Sequence, residues 1–212
     1  CNGDPSPATA YGVLVGIRAS LQERLGRSDL KDIRVAIQGL GHVGWRLAQH
    51  LHRAGARLWV TDVRPEVLKR AAAELDAKVV EPDAIYNQPV DVFAPCALGA
   101  VLDDQSIPRL QAKIIAGSAN NQLAEDRHGE MLWQRGILYA PDYVINAGGV
   151  IDVANELGGY DPRRARLHVA RIADTLSEIY RRAQRSGKPT DQVADHIAEE
   201  RFERRRTTAA AA

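Results

Sequence analysis

Between Val35 and Gly44 the chain passes from a short, mostly apolar run, Val35-Ala36-Ile37-Gln38, into Gly39-Leu40-Gly41-His42-Val43-Gly44. Few segments restrict a fold more tightly. The run reads as a buried strand and the glycines as Gly-x-Gly-x-x-Gly opening a helix. The first glycine permits a tight turn, the second lets backbone approach a pyrophosphate, and the third lets helix and strand pack closely. The pyrophosphate would then lie at a helix N-terminus, where free N–H groups and the helix dipole favour negative charge. The next strand, Leu58-Trp59-Val60-Thr61, ends at Asp62. That carboxylate is placed to accept hydrogen bonds from the adenosine ribose, and its charge repels a 2′-phosphate, which favours NAD over NADP. Arg64, two residues on, reads as a solvated arginine at a helix start.

The rest of the chain alternates helices with short apolar strands. Ser6-Pro7 opens a first helix, with Ser6 as its cap, that runs from about residue 7 to 25. Tyr11, Leu14, Val15, Ala19 and Leu21 form its apolar face, and Gly26 ends it. After the glycine turn a helix is expected over 43–54, a strand over 57–61, a helix over 65–75 and a short strand at Val79-Val80. Asp91–Ala97, Lys113–Ala116 and Gly136–Pro141 read as further strands, and Glu125–Arg135 as a helix. The strands lack polar alternation, as parallel strands covered on both faces do. The expected class is α/β: a doubly wound, mostly parallel Rossmann sheet with helices on both faces and a helical C-terminal tail. The tail should be one long helix from Asp161-Pro162 to about Ser186, with Leu167, Ala170, Leu176, Ile179 and Ala183 as its stripe. A last helix capped by Thr190 should reach about Arg206, with Thr207–Ala212 frayed. This divides the chain into a dinucleotide domain, 1–160, and C-terminal helices, 161–206, packing on that domain or on an absent one.

Bulk properties exclude several classes. The 212 residues carry 45% hydrophobic and 26% charged side chains, as in an ordinary globule, and a net charge of +1 provides no drive toward nucleic acid or anionic membrane. No apolar run approaches the roughly 20 residues of a membrane span. Cys1 and Cys96 make neither a disulfide framework nor a metal signature, which suits a cytoplasmic setting. A start at Cys1, inside the loop chemistry of Asn2–Pro7, suggests that an N-terminal part is missing.

Ligands of open parallel sheets bind at the carboxyl ends of the strands. Three segments there are rich in small and amide residues: Pro95–Ala100, Ser118–Asn121 and Asn146–Val150. Small residues would admit a flat ring, and amides can pair with a carboxamide. With these segments the chain resembles the glutamate/leucine/phenylalanine/valine dehydrogenase family. The residues that carry the resemblance are Gly3–Val13, Gly39–Gly44, Asp91–Ala97, Ala116–Leu123 and the block Tyr139–Glu156, YAPDYVINAGGVIDVANE. It is strongest toward the leucine and valine branch, with the phenylalanine enzymes next.

The resemblance implies the NAD-binding half of an enzyme that deaminates an L-amino acid to a 2-oxo acid. It places Thr9 at the nicotinamide end of the cleft and Gly39, Leu40, Gly41, His42, Val43 and Gly44 on the pyrophosphate. Asp62 and its neighbour Val63 would meet the adenosine ribose, and Cys96 and Ala97 would lie along the cofactor. Ala119, Asn120 and Asn146 would hold the nicotinamide and its ribose. Val150 and Val153 would line the side-chain pocket, and a branched residue at 150 favours aliphatic, branched-chain substrates. The family's catalytic lysine lies in a glycine-rich segment of a separate N-terminal domain. Lys31, Lys69, Lys78, Lys113 and Lys188 have no such context and read as surface residues, so no catalytic residue is expected here. The chain would then need that missing domain or chain to act and would assemble as a homo-oligomer when complete. The alternatives are a phenylalanine or glutamate dehydrogenase, or a stand-alone NAD-binding module. Other candidates have plainer readings. Neither His50 and His52 on different helix faces nor His128, His168 and His196 form a metal set, Cys96 lacks a base, Asp152 and Glu156 read as helix-surface charge, and Arg204–Arg206 as a solvated helix end.

Overall fold

A computed structural model of the chain describes residues 3–156 and 161–210, with side chains as far as Glu203. Expectations for Cys1, Asn2, Ala211 and Ala212, and for the side chains of Arg204–Arg206, lie outside the described residues. Six strands form one all-parallel sheet: β1 (Arg34–Gln38), β2 (Arg57–Thr61), β3 (Lys78–Val79), β4 (Val92–Pro95), β5 (Ile114–Ile115) and β6 (Leu138–Tyr139). Their order is β3-β2-β1-β4-β5-β6. The sheet is wound outward in both directions from β1, so β1 and β4 are neighbours whose crossovers leave on opposite sides. The crevice between their carboxyl ends is where such sheets take ligands.

The absence of alternation in the strands has a direct cause. Val35, Ile37, Val92, Ala94 and Ile114 belong to one buried apolar cluster. Ala36, Phe93 and Ile115, which point the other way along the same strands, belong to a second. Helices therefore cover both faces: α1 (Ser6–Leu25), α2 (His42–Arg53), α3 (Pro65–Leu75), α4 (Arg127–Gln134), α5 (Asp142–Ile145), α6 (Gly148–Glu156), α7 (Pro162–Ala170), α8 (Ile172–Ser186) and α9 (Thr190–Ala210).

The helices depart from expectation where tertiary contacts decide. Ser6 does not cap α1; instead its N–H donates to Asp4 Oδ1 at 2.9 Å. The buried side of α1 is Ala10, Val13, Leu14, Ile17 and Leu21, while Tyr11, Val15 and Ala19 are only half-buried. This helix lies among α2, α6 and α8 and so has no single apolar face. The long tail helix is broken at Arg171, whose N–H turns back to His168 O at 3.1 Å. Asp161 caps α7, accepting from Arg163 N at 2.8 Å and Arg164 N at 3.4 Å. Across the break the stripe shifts, so Leu167 is 72% exposed and Ala165 and Val169 are buried instead. Thr190 Oγ1 donates to Tyr139 O at 2.7 Å, which ties the start of α9 to β6. Helix α9 continues through Thr207–Ala210, where fraying was expected. Helix α5 has no counterpart in the expected elements, and α6 begins at Gly148, inside the segment Asn146–Val150 expected as a strand-end loop.

Helices α8 and α9 join the first core cluster through Ile172, Leu176, Ile179, Val193 and Ile197. A buried polar contact anchors α8 to α1. Ser20 Oγ donates to Gly16 O at 2.8 Å and shares a 2.7 Å bond with the Tyr180 hydroxyl. Replacing Tyr180 by Phe should retain the fold and lower stability by about 1 kcal/mol, the net worth of one such bond, as read from urea unfolding midpoints.

Candidate functional site

The glycine turn lies at the end of β1 and is set by contact rather than by flexibility alone. Gly39 has φ +96° and donates its N–H to Thr61 O at 2.8 Å. A Cβ there would lie 2.6 Å from the Ala97 methyl. A Cβ at Gly44 would overlap the carbonyl oxygen of Gly39 and lie 3.2 Å from Cys96 Cβ. Gly41 is different. Its backbone (φ −66°, ψ −164°) is open to any residue, and a Cβ on it would meet nothing within 4 Å. The middle glycine thus faces free space at the start of α2, whose first N–H groups have no intrahelical acceptor. A groove of about 400 Å³ begins there, lined by Leu40, Gly41, exposed His42, Arg46 and Arg64. Space and the N–H groups of a helix start meet, which suits a diphosphate, while Arg46 and Arg64 are paired with Asp4, which also lines the groove, and with Asp62.

Asp62 stands beside this turn. Its side chain is 6% exposed. Oδ2 accepts from Leu40 N at 2.7 Å, and Oδ1 accepts from Arg64 N at 3.0 Å and Arg64 Nε at 2.9 Å. The Arg64 guanidinium, with these N–H donors, holds the Asp62 carboxyl down at about 2. Arg64 stands exposed at the start of α3, as expected, but its fork is held by the carboxylate two residues earlier. Leu40 contributes its backbone to Asp62 rather than to the helix-start N–H set. Val63 is 89% exposed at the rim.

The other strand ends close the crevice. Cys96 follows β4, and its N–H donates to Gln38 O at 2.8 Å. Burial pushes its thiol up, against a weaker hydrogen bond from Ser118, and the side chain stands half-buried in the crevice wall. Ala97 is exposed beside Gly39. Ala119 is buried, and its N–H is bonded to Pro95 O at 2.9 Å. Asn120, from the loop after β5, and Asn146, between α5 and α6, meet directly: Asn146 Nδ2 donates to Asn120 Oδ1 at 2.6 Å. The pair retains the Asn120 amine and the Asn146 oxygen, one donor group and one acceptor, the complement of a carboxamide.

Sequence reasoning missed what braces these loops. Gln122 is fully buried; its Nε2 donates to Gly117 O at 3.1 Å and Ala119 O at 3.0 Å. Its N–H donates to Asp142 Oδ2 at 2.7 Å. One side chain thus stiffens the Asn120 loop, and Asp142 ties that loop to α5, which leads into Asn146. The only hint in the sequence was a Gln at the end of an amide-rich loop.

Gly148 and Gly149 do not leave room for a ring. They open α6 and are buried on α1, where a Cβ at 148 would overlap Ala8 O and one at 149 would lie 2.7 Å from Thr9 Oγ1. Thr9 is brought to this corner, its hydroxyl donating to Pro5 O at 3.1 Å. Val150 and Val153 emerge one turn apart on the open side of α6, 76% and 49% exposed. Asp152, expected at the surface, is buried at 6% because it faces α1 and α7. All five lysines are exposed. Among the described residues no group of three His, Cys, Asp or Glu is placed to hold a metal, and no helix is long and apolar enough to cross a membrane.

Sheet order, glycine turn and terminal acid define a doubly wound α/β protein of the Rossmann type. The family model for glutamate/leucine/phenylalanine/valine dehydrogenase matches residues 4–64 and 60–187, and the chain belongs to that family. It is 52% identical over 207 residues to a leucine dehydrogenase of Thermoactinomyces intermedius, covering 98% of this chain and 57% of the relative. A phenylalanine dehydrogenase of Bacillus thermotolerans is 45% identical, covering 96% and 54%. The crystal structure of L-tryptophan dehydrogenase from Nostoc punctiforme superposes with a TM-score of 0.92 at 47% identity, covering 95% of this chain and 62% of that one. The chain spans little more than half the length of the curated relatives it matches. These relatives are amino acid dehydrogenases, so the chain is of an oxidoreductase family.

Two outcomes follow from this geometry. Gly44→Ala should lower stability by about 1–3 kcal/mol, as overpacking against backbone does, measured by thermal or urea unfolding. Asp62 has a depressed pKa in the fold, so its contribution is present above the ordinary carboxylate range and is lost as pH falls from about 4 to 2. The stability difference between the wild type and Asp62→Asn should be about 1–2 kcal/mol at pH 7, shrink as pH falls below about 4 and vanish only below about pH 2, by urea unfolding across that range.

Proposed function

We propose that this chain is the NAD-binding part of an amino acid dehydrogenase that deaminates branched-chain L-amino acids such as leucine and valine to their 2-oxo acids. The observation that carries the reading is the open position at Gly41 beside the nearly buried Asp62, at the point where the sheet reverses direction. A diphosphate fits the helix start, and a ribose diol would reach the Asp62 carboxylate beside it in place of the Arg64 fork. The bound dinucleotide would supply the hydride acceptor. The chain's own residues would position it: Gly39–Gly44 on the pyrophosphate, Asp62 and Val63 at the adenosine ribose, Cys96 and Ala97 along the crevice wall. Asn120 and Asn146 would take the carboxamide of the nicotinamide, with Ala119 beneath them and Thr9 alongside.

Val150 and Val153 would border the substrate side chain. Two exposed β-branched residues on one helix face form a narrow apolar rim, and likeness to leucine dehydrogenases points the same way. The proton transfer would fall to a lysine outside these residues, in a further part of the polypeptide or a partner chain that closes on the carboxyl ends of the strands. Residues 1–160 would form the dinucleotide domain, and 161–206 the helices packed on it. A homo-oligomer in the cytoplasm is the setting that this reading carries with it.

Gly41→Ala is the decisive variant, because its methyl enters free space. The thermal midpoint should stay within about 2 °C of the wild type, while NAD affinity by calorimetric titration falls at least about tenfold. Equal NAD affinity in the two proteins would sink the cradle. Activity on a panel of L-amino acids, assayed in the intact native polypeptide, tests the substrate. Preference for tryptophan or phenylalanine over leucine would overturn the aliphatic reading.

A further inference from the structure

The Asp62 carboxylate is full. An ionised carboxylate offers about four lone-pair sites. Here Oδ2 accepts from Leu40 N at 2.7 Å and Arg64 Nη2 at 3.2 Å, and Oδ1 accepts from Arg64 N at 3.0 Å and Arg64 Nε at 2.9 Å. The Arg64 Nη2 group is also bonded to Leu40 O at 3.0 Å. The guanidinium therefore clasps the carboxylate to the glycine turn and occupies the acceptors a ribose diol would need. Two of the four donors are backbone N–H groups and stay in place. The other two belong to a side chain that is 46% exposed and can swing outward.

Other nearby cations are engaged elsewhere. Arg46 is paired with Asp4 at 3.0 Å. Arg70 is paired with Glu74 at 2.8 Å and lies over the Trp45 ring, 4.2 Å from its centroid.

We propose that Arg64 sets the choice between the two nicotinamide dinucleotides: a ribose diol must displace its guanidinium from Asp62, and the displaced guanidinium then meets a 2′-phosphate. The inference rests on the proposed dinucleotide site and adds a residue to it. A planar fork with several donors suits a phosphate dianion, whereas a diol gains nothing from a cation. Arg64 thus lowers the affinity for NAD and raises that for NADP. The site accepts both, against the strict NAD preference that Asp62 alone would impose.

The test is calorimetric titration of the chain with NAD and with NADP, for the wild type, Arg64→Ala and Arg64→Gln. The glutamine variant keeps the length and polarity of the side chain should the alanine variant fail to fold. Both variants should bind NAD about three- to tenfold tighter and NADP at least about tenfold weaker, a shift in their ratio of about thirtyfold or more. Wild-type NADP binding should weaken more steeply with salt than NAD binding, and that extra slope should disappear in the variants. Three results overturn the inference while leaving the dinucleotide site standing: unchanged affinities, a parallel loss of both, or wild-type NADP binding more than about a thousandfold weaker than NAD. If the wild type binds neither dinucleotide, the proposed function falls and the inference with it.

Discussion

No side chain fits at Gly44, and much of the site's architecture follows from that. A Cβ there would overlap the carbonyl of Gly39. Helix α2 therefore starts directly against the end of β1, and its first N–H groups stand over the crevice between β1 and β4. Gly39 must take a positive φ to make the turn, and this brings it against Ala97 after β4. Two neighbouring strand ends are thus locked by contacts that tolerate only glycine and alanine. Of these three glycines, Gly41 alone is not held by a contact, and it leaves space. Packing and binding have been divided among three identical residues by where each one's missing side chain would have gone.

The carboxylate of Asp62 extends that lock to β2. It holds the Leu40 N–H, so the glycine turn is tied to the next strand by a charged acceptor as well as by the Gly39 to Thr61 bond. Charge-assisted bonds of this kind are strong and directional. Arg64 completes the group and keeps the carboxylate ionised in a nearly closed setting. A polar cluster that rigidifies the turn is thus also the one placed to read the ribose.

On the other side of the sheet, buried polar contacts do the work of glycine. Gln122 holds the loop after β5, and Asp142 links it to α5. The exposed Asn120 and half-buried Asn146 extend from the two connections that this bracing joins. Helix α1, met on several sides by other helices, supplies the floor beneath α6 and brings Thr9 to the same corner.

Much of this was legible in the sequence. Unalternated apolar strands require a covered sheet, and glycines spaced two and three apart after a strand require a tight turn into a helix. An acid at the end of the following strand can then lie only beside that turn. These are local constraints with few solutions. The block from Tyr139 to Glu156 signalled the family, but not that its glycines lie buried against α1 at the start of a helix. The break at Arg171, the burial of Asp152, the bracing by Gln122 and the capture of Arg64 by Asp62 were not legible. Each depends on which residue, distant in sequence or free to point elsewhere, arrives within bonding distance once the chain is packed. Periodicity and turn chemistry act over a few residues, and so the sequence by itself determined the sheet, the turn and the place of the acid. Only the tertiary structure decided which small residues leave space and which fill it, and which charges are free to meet a ligand.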